Sequence, residues 1–189
     1  MSTSLILLPT ATLSSYALYL SYQNITRLQQ YEAKSEKAAE WSSTAAERLS
    51  KTRATQTSGT VYIITSLLSS SLLLILPSHN PTSTNTSLSH PTIALANAVL
   101  AFLAHRHMAT FWNEKQQTRI PFVDAFNEAV RGSEQVVLLI GTLAVGWAAA
   151  GAVWVGVQRG FVGSVLGTVV WSCAVGVRAW YVGKVGWGL

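Results

Sequence analysis

The stretch that decides the fold is residues 105–135, HRHMATFWNEKQQTRIPFVDAFNEAVRGSEQ. It holds most of the ionisable groups in the second half of the chain and lies between two long apolar runs. Such a position favours a connection between two membrane-spanning helices. From Pro121 onward, apolar and polar residues recur on opposite sides of a helix, which predicts a cytosolic amphipathic helix over residues 120–135 leading directly into a span. The polar face of this helix consists of Asp124, Asn127, Glu128, Arg131 and Gln135.

The composition points to the same class of protein. The 189 residues are 49% hydrophobic and 11% charged, which is less than half of the charged share of about 25% that is usual in soluble domains. A soluble core of this size does not hide uninterrupted apolar runs of about 20 residues. We therefore expect an all-α, polytopic membrane protein with a single domain over residues 1–189. The lone Cys173 allows no intrachain disulfide.

Five apolar segments have the length that a membrane-crossing helix needs. The first also has the length of a signal peptide, but the residues before Leu5 lack the positive side chains with which such a peptide starts, so a retained span is favoured. Between the first two spans, the charged residues 23–58 predict a cytosolic helical loop that loosens into a linker over residues 51–59. The predicted spans are residues 5–22, 60–77, 91–110, 136–157 and 161–177.

The basic residues orient these spans. If the five spans alternate, all of the 13 Lys and Arg residues except Arg159 lie on one side. Because basic residues collect on the cytosolic side, we expect a lumenal or outside N-terminus and a cytosolic C-terminus, with an endomembrane favoured as the location. The loop 78–90 then lies on the lumenal face, where Asn85 of the sequon Asn-Thr-Ser is a candidate glycosylation site. The other sequon, at Asn24, lies on the cytosolic face, where no glycan is added.

Small residues repeat every four positions in the last two predicted spans. Such ridges let two helix backbones approach closely, so they predict helix-packing surfaces toward another helix of this chain, a partner or a second copy. The small residues are Ala144, Ala148, Ala152 and Gly156 in the fourth span and Gly163 and Gly167 in the fifth.

The polar face of the amphipathic helix is the one candidate catalytic site. Asp124, Asn127, Glu128, Arg131 and Glu134 could line a cavity at the membrane surface, in which a carboxylate accepts a proton and Arg131 holds an anionic headgroup or an enolate-like intermediate. The candidate catalytic residues are Asn127, Glu128 and Arg131. The alternative is a solvated face on which Glu128 and Arg131 pair at a spacing of three residues. His105 and His107 predict no metal site, because residues two apart on a helix point about 200° apart.

No cofactor, metal or nucleic-acid partner is predicted. The chain has no Gly-rich phosphate loop, no serine nucleophile elbow and no HExxH sequence. Its net charge is +5, but the basic residues alternate with acids or flank the apolar segments instead of forming one patch. The charge therefore carries information about topology rather than about nucleic acid.

Three residues resemble a pattern in the anthrone oxygenase-like membrane proteins of fungi. Those proteins have a Trp before the second span and an Asn and an Arg before a late span, as Trp41, Asn127 and Arg131 are placed here. Asn127 and Arg131 are four residues apart where that pattern has three, the Pro-Thr-Asn element after the third span is absent, and the predicted fifth span is additional. No catalytic residue is carried over from this resemblance.

Two functional hypotheses follow from the sequence. The first is a non-catalytic subunit or scaffold of a membrane complex, embedded in the lipid bilayer and bound to a membrane-protein partner or to a second copy of itself. The alternative is a membrane-embedded enzyme or accessory factor that acts on a lipid-soluble substrate at the cytosolic leaflet, so the sequence leaves open whether the protein is an enzyme. A proton-coupled carrier is disfavoured because the spans contain no Asp or Glu.

Overall fold

The computed structural model describes residues 4–75, 84–112 and 124–158, and these residues form four α-helices and no strand. Two helical segments, Ser43–Ile75 and Asn127–Val155, are long and apolar enough to span a membrane by length and composition. The predicted all-α class is thus confirmed for the described part of the chain, and the predicted span 161–177 lies outside it. The helices are α1 (Ser4–Trp41), α2 (Ser43–Ile75), α3 (Thr84–Phe111) and α4 (Asp124–Gln158).

Helices α1 and α2 form an antiparallel hairpin that turns at Ser42. The Ser42 hydroxyl accepts a hydrogen bond from the backbone N–H of Ala45 at 3.4 Å, as expected of a residue that caps a helix N-terminus. Near the turn, Arg53 of α2 donates to the Glu36 carboxylate of α1 at 2.6 Å. The two charged helix ends therefore run side by side up to the turn.

The predicted linker over residues 51–59 is wrong, because α2 runs through these residues without a break. Thr55, Gln56 and Gly59 are buried against neighbouring helices, and this tertiary packing stabilises a helix whose local sequence does not. On the other side of the hairpin, α1 continues through residues 23–41. The charged segment is an extension of two apolar helices and contains no linker.

One further boundary differs from that expected. Helix α3 begins at Thr84 and contains Pro91, although a loop was expected up to residue 90; a proline removes one helical hydrogen bond, but the flanking residues can remain helical. Helix α4 is continuous from Asp124 to Gln158. The described part of the predicted amphipathic helix 120–135 therefore belongs to the same helix as the fourth span.

The four helices pack as an up-down-up-down bundle in which each helix contacts the next and α4 returns to α1. Helices α3 and α4 are antiparallel, since His105 lies against Val137 and Ala94 lies opposite Gly151. Helices α2 and α4 are diagonal neighbours that meet through long side chains, such as Trp147. Side chains from all four helices thus reach the centre of the bundle.

The centre of the bundle contains a chain of hydrogen bonds with a defined direction. Ser14 donates to the carbonyl of Thr10 at 2.9 Å, which commits its only hydroxyl proton. Ser66 must therefore be the donor in its 3.0 Å bond with Ser14, and Ser66 in turn accepts from Trp147 Nε1 at 2.9 Å. Ser66 and Ser14 are completely buried. One hydroxyl on α2 thus joins α1, α2 and α4.

The outer surface of the same helices is apolar. Large aliphatic and aromatic side chains on α1, α2 and α3 are more than half exposed, while serine, threonine and asparagine side chains are buried between the helices. The exposed side chains include Leu8 (59%), Leu68 (65%), Leu72 (52%), Leu95 (64%), Phe102 (56%) and Leu103 (55%).

We expect Ser66→Ala to lower the free energy of unfolding by about 1–3 kcal/mol, because it leaves the buried indole N–H of Trp147 without an acceptor. The matched control is Ser15→Ala, since Ser15 is exposed and its hydroxyl only returns to the carbonyl of Ala11. Denaturation in mild detergent measures both variants. Equal stability of the two variants would contradict the proposed role of Ser66.

Candidate functional site

The structure places the three candidate catalytic residues near the start of α4. Glu128 forms an ion pair with Arg27 of α1 at 3.2 Å, and the two side chains are 61% and 37% exposed. Arg131 is exposed and Asn127 is half-buried. An exposed pair of this kind contributes about 0–1 kcal/mol, and it joins Glu128 to Arg27 of α1, where the solvated alternative expected a pair with Arg131. A chemical role for these residues stays a prediction.

A buried polar cluster lies one helical turn further into the bundle. We call it the amide layer, and it consists of Asn24 on α1, Gln56 on α2, and Gly132 and Ser133 on α4. Gln56 Nε2 donates to Ser133 Oγ at 2.8 Å, and Ser133 Oγ donates to the carbonyl of Ala129 at 2.8 Å. Asn24, Gln56 and Ser133 are 1%, 6% and 0% exposed. Three helices therefore contribute polar groups to one buried layer.

Gly132 is needed because the Asn24 amide lies directly on the α4 backbone. A Cβ atom at Gly132 would lie 2.7 Å from Asn24 Cγ and 2.8 Å from Asn24 Nδ2, and it would come closer still to Asn24 Oδ1. Only a residue without a side chain allows this contact. The same packing buries Asn24, so the sequon at this residue is inaccessible to glycosylation in the folded chain.

The end of α3 packs against Thr55, next to the amide layer. Trp112 is 4% exposed, and its Nε1 donates to Thr55 Oγ1 at 3.0 Å. Phe111 packs edge-on against Trp112 with ring centroids 5.1 Å apart. Thr55 precedes Gln56 in α2, so the Trp112 indole packs beside the residue that adjoins the amide layer.

The histidine pair is split between two surfaces. His105 is half-buried and its Nδ1 lies 2.9 Å from the carbonyl oxygen of Val137, whereas His107 is exposed. Within residues 4–75, 84–112 and 124–158, no three His, Cys, Asp or Glu residues come together as a group that could hold a metal ion.

The predicted small-residue ridge of α4 lies on its outer side. Ala148 and Ala152 are exposed and Ala144 is half-buried. Close helix approaches occur at other glycines: a Cβ at Gly59 would collide with the Met108 side chain. Packing of the ridge against another helix stays a prediction. Of the other predicted residues, Asn85 and Gly156 are described only in their helical backbone, and Gly163 and Gly167 lie outside the described residues.

Sequence reasoning missed the amide layer, although α1 carries a signal for it. From Thr10 to Asn24, the buried residues of α1 recur every three or four positions and are small or polar, within a helix whose exposed positions include leucine and tyrosine. These buried positions form a seam along α1, and their helical spacing in the sequence would have predicted a polar interface. Its members are Thr10, Ser14, Ala17, Ser21 and Asn24.

No protein-family model matches this chain, and no curated protein or solved structure is significantly similar to it.

We expect Gly132→Ala to destabilise the protein by about 1–3 kcal/mol, because its methyl group overpacks the Asn24 amide. The matched control is Gly151→Ala, where a Cβ would lie 3.6 Å from Ala94 Cβ in ordinary contact. That change should be neutral or stabilising by up to about 1 kcal/mol, since alanine favours a helix more than glycine does. Thermal unfolding in mild detergent tests the pair, and a stable Gly132→Ala variant would argue against the contact with Asn24.

Proposed function

We propose that this chain is a multi-pass integral membrane protein that serves as a non-catalytic subunit or scaffold of a membrane complex. The observation that carries the membrane part of the proposal is the distribution of polarity. Exposed leucines on α2 and α3 surround a core that contains Ser14 and Ser66 at 0% exposure. A water-soluble bundle places its large apolar side chains inside and rarely exposes a continuous apolar surface.

The helix lengths support the same proposal. Helix α2 has 33 residues, which corresponds to a length of about 50 Å at 1.5 Å per residue, whereas the hydrocarbon core of a bilayer is about 30 Å thick. Its apolar C-terminal half fits the membrane, and its charged N-terminal half extends beyond it with the end of α1. By the positive-inside rule this extension faces the cytosol.

The projecting hairpin carries exposed ion pairs, one of which joins its two helices. Arg53 contacts Glu36 across the two helices at 2.6 Å, and Lys51 contacts Glu47 within α2 at 2.6 Å. The hydrogen bond from Lys51 lowers the pKa of Glu47. At the turn, Trp41 is 86% exposed, and tryptophan is enriched among the residues that anchor protein interfaces. These features support a docking role for the hairpin.

The subunit part of the proposal rests on the outer side of α4. Ala148 and Ala152 are exposed, and a ridge of small side chains allows another helix to approach closely. Glu128 is already engaged by Arg27, which favours a structural over a catalytic role at that end of α4. The enzyme alternative would replace this proposal if the purified chain alone turned over a lipid-soluble substrate.

The orientation is tested by cysteine accessibility in sealed vesicles. In a Cys173→Ser background, the variants Thr44→Cys and Gln116→Cys should react only from the cytosolic side and Thr84→Cys only from the lumenal side. The reason is that all 13 basic residues except Arg159 fall on one side in this arrangement. Labelling of all three positions from the same side would contradict the alternating topology.

The subunit role is tested on the ridge of α4. We expect Ala148→Leu and Ala152→Leu to reduce the amount of partner, or of second copy, that co-purifies with the chain in mild detergent, because the larger side chain keeps the two helices apart. Ala96→Leu is the matched control, since Ala96 is an exposed alanine on α3. If all three variants retain the complex equally, the ridge faces lipid and the proposed contact is wrong.

A further inference from the structure

Two polar atoms in the amide layer lack a hydrogen-bond partner among the described residues. They are Nδ2 of Asn24 and Oε1 of Gln56, on side chains that are at least nine-tenths buried. Leaving buried amide groups unpaired is costly, and native proteins normally satisfy them with protein, water or a ligand. One atom is a donor and the other is an acceptor.

The orientation of the Gln56 amide is fixed by its neighbour. Ser133 uses its only hydroxyl proton toward the carbonyl of Ala129, so it can only accept from the Gln56 side chain, and Nε2 must face it. The carbonyl oxygen of the Gln56 side chain is therefore the atom left without a partner. A flipped amide would set two acceptors against each other.

Both unpaired atoms belong to the same region between α1, α2 and α4. Asn24 lies on Gly132, Gln56 lies on Ser133, and Gly132 and Ser133 are consecutive in α4. One turn away, α1 and α2 are joined by a bond of 2.7 Å between Ser21 and Thr60. This close approach keeps the two amides in one layer.

We propose that the amide layer binds a hydroxyl group, which accepts a hydrogen bond from Asn24 Nδ2 and donates one to Gln56 Oε1. A hydroxyl has both functions on one atom. A carboxylate cannot donate to Gln56, and a cation cannot accept from Asn24. The hydroxyl belongs either to a water molecule or to a lipid-soluble alcohol, two sources with the same chemistry at this point. The proposal does not depend on the subunit function.

A double-mutant cycle on the full-length chain in mild detergent tests this proposal. Asn24→Leu and Gln56→Met replace the polar amides with apolar side chains of similar length. Each change should lower the thermal midpoint of unfolding by about 3 °C or more. Because either change alone expels the shared ligand, the double variant should be no less stable than the less stable of the two single variants. Asn24→Leu combined with Ser66→Ala is the control, and its two effects should add, because Ser66 bonds Ser14 and Trp147 outside the amide layer.

Two results overturn the proposal: an unchanged or raised midpoint for Asn24→Leu, or additive effects of Asn24→Leu and Gln56→Met. A high-resolution structure of the unaltered chain provides a second measurement that does not depend on variant folding. It should show an oxygen within hydrogen-bond distance of both amides, and a direct bond between Asn24 and Gln56 would refute the site. Mass spectrometry of an organic extract then separates the sources: a stoichiometric alcohol present in wild type and lost in Asn24→Leu identifies a lipid-soluble ligand, and its absence identifies water.

Discussion

The hydrogen bonds of Ser66 are the interaction on which the arrangement of the bundle depends. Helices satisfy their own backbone groups, so in an apolar surrounding the side-chain polar groups decide how helices are rotated against one another. Ser66 donates to Ser14 and accepts from Trp147. Because one hydroxyl proton and one indole N–H must both be used, the angular positions of α1 and α4 around α2 are determined together.

This constraint also explains which residues lie between α1 and α2. Hydroxyl groups on two helices bond directly only when the backbones are close, and the buried seam of α1 contains Ser14, Ala17 and Ser21, none with a long side chain. Large side chains then fill the wider space toward α4, where Trp147 is completely buried. Polar bonding and close packing reinforce each other at this interface, whereas in a soluble bundle large apolar residues would occupy it.

The helical class could be predicted from the sequence because its long apolar runs have the length of a membrane-spanning helix. Local patterns do not determine how far a helix continues: residues 51–59 are helical because Gln56 and Gly59 are buried by other helices, which is a tertiary effect. The amide layer escaped prediction for a related reason. The buried seam of α1 marks Asn24, but Gln56 is a polar residue in a charged segment, and only the alignment of α1, α2 and α4 brings the two amides together.

The rotation of α4 explains why its alanine ridge lies outside the bundle. Trp147 bonds Ser66 and Ser133 bonds Gln56, and these two residues of α4 are separated by two heptads, so they share one face of a gently supercoiled helix. With a rotation of about 100° per residue, Ala148 is turned about 100° away from that face and Ala152 about 140°. Helix α4 therefore cannot make both bonds to α2 and also turn its alanine ridge toward the inside of the bundle. Since α2 holds α4 at both ends of the polar core, only a helix that lies outside these four can use the ridge of α4.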